Sequence, residues 1–250
     1  MKRFWLATNN LPHRAATSTA SHNRFSFSII KTVILLIALA ASVSVHAQTD
    51  ADKQAAYQKT VTERVIKIIN VLELKDSSQY QRVLYAVVNQ YFNVNTIHEE
   101  NKAAIDAIKA QGLSKELEDA AIKTQEEKKS VKLLQQHASF ITLLNQQLPD
   151  SQVEKIKDGM TYSVFPNTYA AYMDMLPNLT TEQKDKIFNW LKEARELAMD
   201  AESADKKHAV FGKYKGRINN YLSAAGYDMK KEGEEWQKRI KEREQKSKTK

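Results

Sequence analysis

The sequence predicts an all-α protein: a single bundle-like domain of about six to eight helices with one irregular, aromatic-rich segment, behind an N-terminal signal peptide. Three observations carry this. Beyond residue 47 the only prolines are Pro149, Pro166 and Pro177, so long stretches run without a breaker. Within those stretches apolar residues recur at i, i+3 and i+4, the period of a helix with one buried face. The chain has no cysteine in its 250 residues, so a hydrophobic core and not disulfides must hold it together.

Residues 1–47 read as the signal peptide. Lys2, Arg3, Arg14, Arg24 and Lys31 form a basic n-region without an acidic residue, and Thr32 to Val45 is a short apolar core. Val45-His46-Ala47 supplies the small residues of a cleavage site. The run is short for a membrane span, and without a cysteine there is no lipid attachment. Loss of this segment lowers the formal net charge from +8 to +3, so the basic balance belongs largely to targeting. A nearly neutral exported chain is a poor partner for nucleic acid. The expected location is periplasmic or secreted, with no stable membrane insertion once the signal is cleaved.

The single helical domain is expected over residues 48–245, followed by a frayed tail at 246–250. Its first helix, Asp50 to Leu74, places Val61, Val65, Ile68, Ile69 and Leu72 on one stripe. After the Lys75 to Ser78 turn, Tyr80, Val83, Leu84, Val87, Val88 and Tyr91 make the strongest amphipathic pattern. The polar stretch Asn93 to Lys102 either continues that helix or bends it, and helix resumes to Gly112. Ser114 to Leu148 is a long helix, apolar in its second half through Leu133, Leu134, Ala138, Ile141 and Leu144, and ended by Pro149.

Ser151 with Glu154 reads as a capping box opening a short helix that Gly159 closes. Met160, Tyr162 and Val164 alternate as a short strand would, and Pro166 suits the first turn of another helix. Thr180 with Gln183 is a second capping box, opening a helix marked by Ile187, Phe188, Leu191, Ala194 and Ala198. In the penultimate helix Phe211, Tyr214, Ile218, Tyr221 and Leu222 gather on one side. Gly212, Gly216, Asn219 and Ser223 fall about 130–170° from that stripe. Trp236 and Ile240 dock one last helix.

Few residues suggest reaction chemistry. His98-Glu99-Glu100 lacks a second histidine one turn on, because position 102 is Lys, so no metal site or cofactor is assigned. His98 reads as solvated or capping, and His137, among Leu133, Ile141 and Leu144, as a hydrogen-bonded residue at the core edge. There is no nucleophile elbow, phosphate loop or catalytic cysteine, and no catalytic residue is assigned. The candidate ligand-binding residues are Tyr162, Tyr169 and Tyr172, with Lys213, Arg217, Asn219 and Asn220. Tyrosine offers a flat apolar face and a hydroxyl, which suits a sugar ring. The two helix glycines cost about 2 kcal/mol of propensity relative to alanine. A backbone crossing close over them is one explanation, and a ligand against bare helix is the other.

The runs "LTTEQKDKIFNWLKEARELAMDAESADKKHAVFGKYKGRINNYLSAAGYD" and "RVLYAVVNQYFNVNTIHEENKAAI" resemble a domain-of-unknown-function family of exported helical proteins from Gram-negative, glycan-degrading bacteria. The resemblance implies an extracytoplasmic location and a setting in glycan use, with sugar binding suggested and no catalytic residues to transfer. A weaker likeness, to small periplasmic stress chaperones, rests on Leu179 to Gln183, which capping alone explains. The favoured class is therefore a non-catalytic protein that binds an oligosaccharide or a glycan-processing partner. A periplasmic chaperone or adaptor with a helical cradle, and a carbohydrate-active enzyme using a carboxylate pair, are the alternatives.

Overall fold

The computed structural model describes residues 51–248, which leaves the expected signal peptide, residues 1–47, outside the described part. Tyr57–Lys250 is one compact unit, and residues 51–56, which fall outside it, are helical. The described residues form eight helices and no strand, as the periodicity requires. They are α1 (residues 51–70), α2 (Ser77–Lys109), α3 (Lys115–Gln147), α4 (Asp150–Met160), α5 (Val164–Met175), α6 (Thr181–Met199), α7 (Ala204–Ala224) and α8 (Met229–Lys248).

Local chemistry fixes most of the boundaries. The Asp76 carboxylate accepts the Ser78 and Gln79 N–H groups at the start of α2, at 2.7 and 3.3 Å. The polar stretch from Asn93 to Lys102 continues α2 without a break. No proline or glycine interrupts it, and buried Asn101 is held by α3: its amide donates to Glu126 Oε1 (2.8 Å), and Gln125 donates to its Oδ1 (3.2 Å). Gly112, at φ +64°, supplies the left-handed turn from α2 into α3. The Thr180–Gln183 capping box opens α6 with both of its reciprocal bonds, at 2.9 and 3.2 Å.

Three local expectations fail, each for a visible reason. The Ser151–Glu154 box does not form: α4 starts at Asp150 after Pro149, without a side-chain cap, and Glu154 turns to Arg195 instead. Gly159 does not close α4 but lies within it, where α1 passes closely. A Cβ at Gly159 would stand 2.7 Å from Ile68 Cγ2. Met160, Tyr162 and Val164 form no strand. The chain reverses between α4 and α5 through Tyr162 (φ 58°) and Ser163 (φ 54°), and Pro166 lies in the first turn of α5.

Two apolar clusters fill the Tyr57–Lys250 unit. The first joins α1 to α4 through Val65, Ile69, Val83, Val87, Phe140, Leu144 and Ile156, with Met199 from the end of α6. The second joins α5, α6 and α7 through Phe165, Leu176, Ile187, Leu191, Ala194, Phe211, Ile218 and Leu222, with Met229 at the start of α8 packed against it. The two meet along the C-terminal half of α6, which carries polar groups into the interior. α8 is tied down by Asp174, whose carboxylate accepts from Trp236 Nε1 (2.7 Å) and from Arg243 (2.6 Å).

Candidate functional site

Arg195 is the largest fully buried side chain and stands at the seam between the two clusters. Its guanidinium donates to Asp158 (2.7 Å), Glu154 and Glu196 (3.2 Å), and lies 4.9 Å from the Phe165 ring centre. Burial works against that charge, and hydrogen bonds to Asp158 and Glu154 more than offset it, leaving Arg195 above its ordinary pKa. Lys157 adds an ion pair to Glu196 at 3.0 Å. Burial would raise Glu196, but hydrogen bonds from His137 and Lys157 bring it down to about 2.

His137 sits at the core edge between Asp200 (2.8 Å) and Glu196 (3.2 Å), and those two bonds, Asp200 first, lift it to about 9. His98 caps the end of α6, with its ring Nε2 2.8 Å from the Asp200 carbonyl. Buried Lys207 donates to the Ala198 and Met199 carbonyls, at 3.0 and 2.9 Å. Burial lowers its pKa to about 8.

Glu154, Asp158 and Glu196 converge on Arg195 and Lys157 rather than facing each other across open space. Among the described residues, no group of three His, Asp or Glu side chains is placed to hold a metal ion.

Two open clefts lie elsewhere on the Tyr57–Lys250 unit, the second of them touching the seam at Asp158. The first, about 390 Å³, lies between α5, α7 and α8 and is lined by Asn167, Thr168, Tyr172, Lys215, Asn219 and Trp236, with Met175 and Met229. Its back wall is rigid. Tyr172, raised to about 12 by burial, donates its hydroxyl to Asn219 Oδ1 at 2.7 Å, and Asp174 fixes the Trp236 ring. The second, about 530 Å³, lies between α1 and the α4–α5 turn and holds Arg64, Lys67, Val71, Lys155, Gly159 and Tyr162.

The seven candidate residues read from sequence do not share one place. Tyr172 and Asn219 meet in the first cleft. Tyr162 lies at the second, stacked on His208 at 5.5 Å with an interplanar angle of 16°. Tyr169 is half-buried and packs edge-on against Phe188, with the core. Arg217 lies over Trp190, its guanidinium 4.4 Å from the ring centre. Lys213 and Asn220 are exposed on α7 outside both clefts.

Of the two explanations for Gly212 and Gly216, a backbone crossing close over them is ruled out. A Cβ at either would meet nothing within 4 Å, so that face of α7 is open. The glycine that does admit a close neighbour is Gly159. Sequence reading missed Trp236 and Asn167 as cleft residues because their cleft forms only when α8 returns across α5. The cations of the second cleft were missed because surface lysines and arginines on α1 and α4 carry no distinguishing pattern.

No helix among the described residues is long and apolar enough to cross a membrane. No curated protein matches the chain. The family model described as "Protein of unknown function (DUF3826)" matches residues 58–242, which takes in all of α2 to α7 and most of α1 and α8. The chain belongs to this DUF3826 family.

Proposed function

We propose that this is an exported, non-catalytic carbohydrate-binding protein whose sugar site is the cleft between α5, α7 and α8. The observation that carries the reading is the pairing of an oriented indole, Trp236, with the amide and hydroxyl groups of Asn167, Asn219 and Thr168 in one cleft of about 390 Å³. Small-ligand sites are about 300–1,000 Å³, mostly apolar, with a few placed polar groups. An aromatic ring takes the apolar face of a pyranose while amides satisfy its hydroxyls. Lys215 adds a further donor at the rim.

Trp236 provides its own reporter, since Trp5 lies in the expected signal peptide and Trp190 is the one other tryptophan. In a Trp190→Phe background, a binding oligosaccharide from a plant or host panel should shift Trp236 emission and raise Tm through ligand linkage. Asn219→Ala should abolish both responses, and Trp236→Ala the rise in Tm. If no sugar at millimolar concentration moves either signal, carbohydrate binding at this cleft is refuted.

A second reading, a chaperone or adaptor, is favoured by one feature. Tyr85 and Leu143 stand 70% and 50% exposed around a groove of about 300 Å³ between α2 and α3. Suppression of the aggregation of an unrelated unfolded client would support it, and unchanged client aggregation would end it.

A further inference from the structure

The second cleft differs from the first in charge. Arg64 and Lys67 stand one turn apart on α1, Lys155 faces them from α4, and all three side chains are exposed. None of the three ion-pairs with a carboxylate among the described residues. The acid that also lines the cleft, Asp158, is occupied by Arg195. The neighbouring cation on α4, Lys157, turns instead to Glu154 and Glu196. Three cations line one cleft, with Arg64 also lying 6.0 Å from the Tyr91 ring centre, so its potential is positive, and the apolar wall strengthens it.

The rest of the cleft is largely apolar. Ile68 comes from α1 and Val71, 60% exposed, from the turn just after it, and Gly159 lets α4 meet Ile68 there. Tyr162 is 40% exposed at the edge, backed by the His208 ring, and carried on a left-handed pair of residues, Tyr162 and Ser163. That conformation is strained for residues other than glycine, and such strain collects at ligand sites.

We propose that the cleft between α1 and the α4–α5 turn binds a ring-bearing carboxylate, the acid group held by Arg64, Lys67 and Lys155 and the ring laid against Tyr162. A guanidinium offers a bidentate fork to a carboxylate, and the two ammonium groups add charge. The volume of about 530 Å³ admits one or two rings. This site is separate from the sugar cleft and stands or falls without it.

The test is calorimetric titration of the exported protein at low ionic strength. The probes are an aromatic acid, 4-hydroxycinnamate, and a sugar acid, glucuronate. Each is compared with its uncharged counterpart, 4-hydroxycinnamyl alcohol or glucose, and with inorganic phosphate. At least one acid should bind ten-fold or more tighter than its counterpart and than phosphate, and weaken as salt rises. Which acid binds identifies the kind of ring.

The triple variant Arg64→Gln, Lys67→Gln, Lys155→Gln should lose at least ten-fold in affinity, as should Tyr162→Asn, which keeps a residue tolerant of the left-handed turn. Trp236→Ala should leave this binding unchanged. Equal binding of acid and uncharged counterpart, of phosphate and acid, or of wild type and a triple variant with an unaltered melting curve would each overturn the proposal. Failure of both acids at millimolar concentration would do the same.

Discussion

Replacing Gly159 with alanine should destabilise the protein although Gly159 lies inside a helix, where alanine is the better residue by about 1 kcal/mol. The reason is Ile68. The new methyl would stand 2.7, 3.0 and 3.3 Å from its Cγ2, Cγ1 and Cβ. Those atoms belong to the stiff, β-branched part of a side chain only 7% exposed, so relief requires moving α1 or α4. Overpacking of this kind costs about 1–3 kcal/mol. Net of the helix gain, Gly159→Ala should lose up to about 2 kcal/mol, or about 2–4 °C of Tm per kcal/mol for a chain of this size.

The internal controls are Gly212 and Gly216, where a Cβ meets nothing and alanine should gain about 1 kcal/mol each. Urea denaturation reads all three. Ile68→Ala removes both clashing γ carbons, so in that background Gly159→Ala should turn stabilising. A stabilised Gly159→Ala in the wild-type background, or strict additivity in the Ile68/Gly159 cycle, would refute the close-approach argument.

Other consequences follow from the seam and from α8. His137 has a folded pKa of about 9 against an unfolded value of 6.5. Its stabilisation is complete below pH 6.5 and lost as pH rises through 9, so His137→Gln should cost more at pH 6 than at pH 10 in urea titrations. Arg195→Met removes the cation shared by Glu154, Asp158 and Glu196 and should cost about 3–5 kcal/mol by the same assay, whereas a neutral result would mean the acids find other partners. Asp174→Asn should free α8 while sparing the rest. Amide exchange should rise across Met229–Lys248, Trp236 emission should shift to the red, and protection in α6 should be unchanged.

The apolar framework was legible in the sequence because it repeats. Val61, Val65, Ile69 and Val83, Val87 fall on helical stripes and are buried where those stripes place them. The Thr180–Gln183 box was legible because capping needs only residues three apart. Contacts between distant helices were not legible. Ser151 and Glu154 fit the same capping pattern, but Glu154 is claimed by a buried arginine 41 residues away. Arg195 itself gave one hint, four residues after Leu191 on the face that also carries Ile187. Of the candidate site, Tyr172 and Asn219 were found by residue type and do share a cleft. Lys213 and Asn220 were chosen as polar groups beside the Gly212–Gly216 face and lie on open helix, because no other element approaches that face.

The seam and the second cleft are linked through one residue. The side chain of Asp158 is held by Arg195, while its carbonyl accepts the Thr161 N–H at 3.1 Å and the Ser163 N–H at 2.7 Å. The strained turn that carries Tyr162 is thus fastened at its base to Arg195, the most buried charge among the described residues. A left-handed tyrosine persists only where its surroundings over-determine it, and here the restraint is that doubly bonded carbonyl on an ion-paired residue. Burial, together with repulsion from Glu154 and Glu196, raises the Asp158 pKa in spite of Arg195, making its carboxyl the softest member of the cluster. Asp158→Asn keeps the backbone carbonyl and the shape but weakens the anchor on Arg195. If the turn is held from the seam, this substitution should loosen the Tyr162–His208 stack, seen as faster exchange at Tyr162 and Ser163, before it lowers global stability appreciably. Unchanged exchange at those two amides, with a large global loss, would instead show that the turn is held by its own packing.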